Sequence, residues 1–196
     1  MGAVLHKPMT LAEFLIWEER QEQRYEFDGF EPVAMTGGTY AHEVIGATLR
    51  ALLRDRLQGK PCRALGPALK IEVVGRVRYP DAFVHCKPVA RSEQIIREPV
   101  VVFEILSPST SRVDRIEKLR EYQATDSIQQ YVILEQDSIA ATVFAREGGL
   151  WTGRALTDGD ILALPEIGIE LSLADIYADV DLPAPDDRDD EVPVDR

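Results

Sequence analysis

No apolar run in this 196-residue chain approaches the ~18–20 consecutive residues that cross a bilayer. A membrane span is therefore not expected. The N-terminus, MGAVLHKPMTLAEFLIWEERQEQ, lacks the order of basic start, long apolar stretch and small-residue cleavage site that marks a secretory leader. A cytoplasmic protein is expected. Only two cysteines are present, Cys62 and Cys86. Two are too few for a disulfide framework or a zinc site, and a reducing compartment fits. Positive charge is also scarce: 22 basic against 34 acidic residues leave a net −12. That balance excludes a simple nucleic-acid coat protein, which would be basic. No Gly-rich phosphate loop is present, and no G-x-S-x-G of a serine hydrolase.

The negative charge is unevenly placed. From Asp179 to the end, eight acidic residues face Arg188 and Arg196, and these eighteen positions carry half the net charge. The segment DVDLPAPDDRDDEVPVDR is rich in Pro and Asp, has no periodicity, and reads as a disordered acidic tail over 179–196. One domain over 1–178 is left, long enough to bury a core. Its charge is moderate, so a nucleic-acid substrate is disfavoured by the total but compatible with the folded part.

The patterning predicts a mixed α/β order. Thr10 and Glu13 form a capping-box signature, with Leu11, Phe14 and Leu15 as an apolar stripe, so a helix is expected over 10–22. RYEFDGFEPVAMT reads as a hairpin turning at Asp28-Gly29. Ala41, Ile45, Thr48, Leu49, Leu52 and Leu53 give helical spacing over 40–58, with Gly59 as the stop. Strands are expected near 68–74 and 77–86 as an antiparallel pair turning at Gly75-Arg76, and at 99–106. A helix over 111–124 follows, with Val113, Ile116, Leu119 and Tyr122 on one side. QQYVILEQ reads as a strand, AATVFAREGGLWTG as a hairpin through Gly148-Gly149, and LSLADIYA as a last short helix. There are no internal repeats. This order implies a mixed α+β sheet flanked by helices.

One residue in that order is out of place. Glu104 sits in the run Val100, Val101, Val102, Phe103, Ile105, Leu106. An ionised carboxylate in an apolar layer costs several kcal/mol unless it is compensated. A basic partner, a metal ion, or water at the strand's exit would compensate it. Asp81, after Pro80 on the preceding predicted strand, could bring a second carboxylate to the same sheet face. Two close carboxylates raise each other's pKa unless a cation lies between them, and Mg²⁺ takes one or two carboxylates with waters and phosphate oxygens. Lys118, at the rim of the 111–124 stripe, could reach over the sheet and stabilise charge on a phosphorane. His42, in the first turn of its helix, sits at the positive dipole end, which favours a neutral ring able to bind metal or accept a proton. Glu26 is a companion candidate.

Each of these residues has an ordinary reading too. Pro-Asp commonly ends a strand as a turn. Lys118 can pair with Asp114 one turn back and face solvent. His42 can be a surface or cap residue, and Glu26 can pair with Arg24. Ser107, Ser109 and Thr110 suit a loop before a helix. Glu104 has no comparably simple account.

Taken in order, RYEFDG, GGTYAHEVIG, YPDAFV, VVFEILSPST, DRIEKLREY and QQYVIL resemble the Uma-type restriction-endonuclease-like proteins of the PD-(D/E)XK nuclease superfamily. The resemblance covers roughly residues 8–175, and its specific part is E-x-L-S-P-S-T followed by a K-x-x-x-Y helix. It implies a core of helix, three strands, helix and strand. It also implies cleavage of DNA phosphodiesters with Mg²⁺, or Mn²⁺ in its place. On that pattern Asp81 and Glu104 are metal ligands, Lys118 is the catalytic lysine, and Glu26 and His42 line the same site, with His42 as a further metal ligand or a proton acceptor. The superfamily's lysine normally stands two residues after the glutamate, where this chain has Leu106, so Lys118 would supply the amine from the next helix. A homodimer is expected by analogy with nucleases of this fold. Two other functions compete: a catalytically inactive nuclease fold used for binding or regulation, and a metal-dependent hydrolase of small phosphorylated substrates.

Overall fold

The computed structural model describes residues 8–35, 37–106 and 112–182, and the side chains of 112–114 are outside that description. Its N-terminal helix α1 (Leu11–Glu18) starts at Thr10 with both halves of the capping box made. It ends four residues earlier than the stripe predicts. The hairpin β1 (Tyr25–Phe27) and β2 (Pro32–Ala34) turns where expected, with Asp28 Oδ1 accepting from the amides of Phe30 and Glu31 and Gly29 at φ 99°. Helix α2 (Tyr40–Arg56) is capped by the Thr39 hydroxyl, which accepts from the His42 amide.

Two sheets follow, and their membership departs from the sequence pattern. The smaller has the order β2-β1-β5-β4-β7, using β4 (Lys70–Val73), β5 (Arg76–Arg78) and β7 (Ile95–Ile96). The larger has the order β11-β10-β9-β8-β6-β3. It uses β3 (Arg63–Leu65), β6 (Ala82–His85), β8 (Val101–Leu106), β9 (Gln130–Glu135), β10 (Ala140–Glu147) and β11 (Leu150–Thr157). The predicted strand over 77–86 is two strands in two different sheets. Pro80, which has no N–H for a ladder bond, falls at the break. The expected pair 68–74 with 77–86 is therefore β4 with β5 alone, in the smaller sheet. The short strands β3 and β7, and the ribbon β12 (Ile161–Leu164) with β13 (Ile169–Ser172), have too few alternating residues to stand out in the sequence.

The helix–three strands–helix–strand core is present as α2, then β3, β6 and β8, then α3 (Arg112–Gln123) and β9. β6 and β8 are antiparallel, whereas β8 and β9 run parallel through the α3 crossover. Both faces of the sheet are covered, which is why β8 reads as a continuous apolar run. Val101, Phe103 and Ile105 pack with Ile45, Leu49 and Leu53 of α2. Val102 and Leu106 pack on the other side with Tyr122 of α3 and Ile71 and Val73 of the smaller sheet. Alternation puts Glu104 on this second side.

Two further expectations change. Cys62 and Cys86 form a disulfide. The register Arg63↔His85 of β3 with β6 makes them the next cross-strand neighbours, and β3 was invisible in the sequence pattern. At the C-terminus, Val180 and Leu182 pack against the main core after helix α4 (Leu173–Ile176). The described fold thus extends past 178, and the rest of the acidic tail, from 183 on, lies outside the described residues. Among the described residues no helix is long and apolar enough to cross a membrane.

The turn between β4 and β5 contains one strained residue. Val74 has φ 43° and is half exposed, followed by Gly75 at φ 78°. A β-branched residue in the left-handed region costs roughly 1–3 kcal/mol, and a two-residue hairpin of this kind favours Asn-Gly. Val74→Asn is expected to stabilise the protein by about 1 kcal/mol. It should be visible as a higher urea midpoint at unchanged m-value, and a lower midpoint would refute the assignment of strain.

Candidate active site

Glu104 is compensated by a basic partner and a hydroxyl. Lys118 Nζ lies 3.2 Å from Glu104 Oε1, and the Tyr122 hydroxyl donates to the same oxygen at 2.8 Å. Glu104 is only 5 % exposed, so water at the strand exit is not the answer. Burial pushes its carboxyl up to about 7. Lys118 and the Tyr122 bond oppose that rise, while Asp81 and Glu26 add to it. Burial, and then the Glu104 charge, raise the Tyr122 phenol, so it stays a donor.

Asp81 precedes Ala82, which pairs with Phe103, so Asp81 and Glu104 are the next opposed positions on neighbouring strands. Asp81 Oδ2 accepts from the Ile105 amide at 2.7 Å, and Oδ1 lies 2.7 Å from His42 Nε2. The helix-dipole argument predicts a neutral His42 with a lowered pKa. The structure reverses it: the hydrogen bond to Asp81 raises the His42 pKa, outweighing burial, with the charge of Asp81 adding to the rise. Arg50 reaches the same place from α2. Its Nη1 donates to the Asp81 carbonyl at 3.2 Å. Gly46 and Gly66 make room for the Arg50 side chain, since an added Cβ would come within 2.8 Å of its Nη1 and 2.7 Å of its Cδ respectively.

Glu26 comes from the smaller sheet. Its Oε1 accepts from the Tyr79 amide at 3.1 Å and lies 3.7 Å from Lys118 Nζ. Its Oε2 accepts from Arg78 at 3.1 Å. Arg24 points elsewhere, donating to the Pro67 carbonyl. Lys118 thus faces two carboxylates from two sheets. Its suggested neighbour Asp114 has a side chain outside the described residues.

The five residues singled out in the sequence are brought together by α2, α3, β1, β8 and the entry to β6. Sequence reasoning missed Tyr122, Arg78 and Glu121 as parts of the site. It took Ile116 with Tyr122 as part of the inward stripe of α3; Tyr122 is buried, but Ile116 is 41 % exposed, and Lys118 and Glu121 are buried beside Tyr122. The available signal was their i, i+3, i+4 spacing, which stacks side chains on one helix face. Among the described residues no three His, Cys, Asp or Glu side chains converge as a metal cage.

Known proteins resemble this chain in sequence and fold. A crystal structure of a "putative nuclease belonging to DUF820" from Anabaena variabilis superposes with a TM-score of 0.73. The match covers 87 % of this chain and 98 % of that one at 18 % identity, so the two share a fold. The chain belongs to the Uma2 family, described as "Putative restriction endonuclease", with residues 11–175 matched. Two proteins of Synechocystis sp. are similar to it. Slr1290, named only as uncharacterized, is 35 % identical over 169 residues, covering 84 % of this chain and 89 % of its own length. Sll1609, likewise, is 24 % identical over 135 residues, covering 66 % and 76 %.

The raised Glu104 pKa has a consequence for stability. Folding favours the protonated acid, so this group's contribution is fullest below its unfolded pKa and is lost as pH rises through about 7. In EDTA, the Tm of Glu104→Gln relative to wild type should therefore increase from pH 5 to pH 8. A difference that is flat or falls over that range would show that Lys118 fully neutralises the carboxylate.

Proposed function

We propose that this chain is a divalent-metal-dependent endonuclease that hydrolyses DNA phosphodiester bonds. The observation that carries the reading is the amine of Lys118, delivered by α3 to a buried carboxylate that stands opposite Asp81 on the neighbouring strand. The donor chemistry suits Mg²⁺ or Mn²⁺. Hard cations take carboxylate oxygens, and Mg²⁺ commonly uses only one or two of them, so the absence of a three-ligand cage among the described residues is no obstacle. Lys118 and Tyr122 both bond Oε1 of Glu104; burial raises its pKa, and repulsion from Asp81 and Glu26 adds to the rise. An added cation relieves that repulsion. Asp81 and Glu104 would hold the ion, and His42 would orient Asp81 through its Nε2 contact. When bound, such an ion polarises the phosphate and activates water.

The protein's own groups do the rest. The Ile105 amide fixes Asp81, and Tyr122 fixes Glu104. Lys118 presents positive charge where negative charge develops on the phosphorane, in a site largely closed to water, where such charge acts strongly. Glu26 Oε1, 3.7 Å away, helps direct the lysine. Family membership supports the reaction class, and the substrate follows from that class.

The test is cleavage of supercoiled plasmid and of single-stranded DNA with Mg²⁺ or Mn²⁺ by wild type, Asp81→Asn, Glu104→Gln and Lys118→Met. Wild type should cleave, and each variant should lose about 10²–10³-fold or more in rate. Mn²⁺ should raise the Tm of wild type and Lys118→Met but not of the two carboxylate variants. DNA binding with no cleavage under any divalent ion would replace this reading with a binding module. Hydrolysis of small phosphate esters alone would replace the substrate.

A further inference from the structure

The amine that the proposed chemistry uses is not held by an apolar helix face. The inward side of α3 carries Lys118, Glu121 and Tyr122, at 8 %, 3 % and 0 % exposure. Buried charges of this kind need fixed partners. Arg78, at the end of β5, supplies them. Its Nε donates to Glu121 Oε2 at 2.7 Å and its Nη2 to Glu121 Oε1 at 2.6 Å. Two parallel bonds fix angle as well as distance. Its third nitrogen, Nη1, donates at 3.1 Å to Glu26, the second carboxylate facing Lys118. Burial works against the Arg78 charge, yet Glu121 and Glu26 hold its pKa above the ordinary guanidinium range.

Arg78 therefore grips the lysine's surroundings twice. Through Glu121, three residues on from Lys118, it fixes the rotation and height of α3. Through Glu26 it fixes a carboxylate that the amine faces. Its bonds go to neither Asp81 nor Glu104. Resting on the nuclease reading above, we infer that Arg78 is a positioning residue for Lys118, acting through Glu121 and Glu26 to keep the amine over Glu104. A lysine at position 78 keeps the charge but loses the planar fork, so it cannot make the same grip.

Two measurements test this. In the first, cleavage kinetics are compared for wild type, Arg78→Lys, Glu121→Gln, Lys118→Met and the double variant Arg78→Lys/Lys118→Met. All are assayed at a temperature where far-UV circular dichroism shows each one folded. The single changes at 78 and 121 should lower kcat by about 10²-fold, the usual cost of a small misplacement, with little change in KM. Arg78→Lys should add no further loss once Lys118 is gone, because the two act as a unit. In the second, acetylation by N-hydroxysuccinimidyl acetate is followed by mass spectrometry, with the exposed Lys87 as internal reference. Lys118 should react slowly in wild type and several-fold faster in Arg78→Lys and Glu121→Gln. An equal loss of kcat from Arg78→Lys with and without Lys118, or unchanged Lys118 protection in both folded variants, would overturn the inference. Should wild type cleave no DNA with any divalent ion, the nuclease reading falls. The acetylation result, which needs no activity, then decides whether Arg78 positions Lys118.

Discussion

The buried carboxylate of Glu104 is the constraint around which the rest is arranged. A charge on the covered face of a parallel strand pair is tolerated only with partners of fixed geometry. The partners come from the crossover helix, which must turn Lys118 and Tyr122 inward where an ordinary amphipathic helix would turn leucines. That choice puts Glu121 inside as well, and Glu121 then requires Arg78. Arg78 in turn draws Glu26 of the hairpin into the same group. One misplaced acid in a valine-rich strand thus accounts for a chain of buried ion pairs reaching from the larger sheet into the smaller one.

Such a chain stabilises less than apolar packing of the same volume would. Its contribution is orientation. Asp81 has one oxygen on a backbone amide and the other on His42, and Glu104 receives two donors on a single oxygen. Functional groups held by backbone and by locked neighbours need little reorganisation when charge develops. A second buried group, remote from the chemistry, supports α1 in the same manner. Glu18 pairs with Lys70 and accepts from the Tyr79 hydroxyl at 2.5 Å. Tyr79 is also the residue whose amide holds Glu26. The N-terminal helix is thereby tied to the site's edge by polar contacts as well as by Phe14 on Phe27.

Much of the site was legible in the sequence because it broke patterns. Glu104 interrupts an apolar run and Asp81 follows a proline, and both carboxylates lie in the proposed site. The helices α1 and α2 and the two glycine-turned hairpins were legible from capping and turn chemistry. The division of 77–86 between two sheets was not, since periodicity records which residues are buried and not which neighbour buries them. β3 was hidden by its length of three residues, and with it the pairing of Cys62 and Cys86. Arg78 and Glu121 look like surface charges in isolation. Only the placement of β5 against α3 makes them interior. His42 shows the limit of a local argument, because its contact with a carboxylate 39 positions away raises its pKa in spite of burial.

The passage of the chain at Tyr79-Pro80 from one sheet to the other has a mechanical consequence. The acids facing Lys118 belong to different bodies: Glu26 rides on the smaller sheet and Glu104 on the larger. The amine's two contacts therefore bridge the layers. The partition of that proton donor between its two acceptors becomes a gauge of how the layers sit.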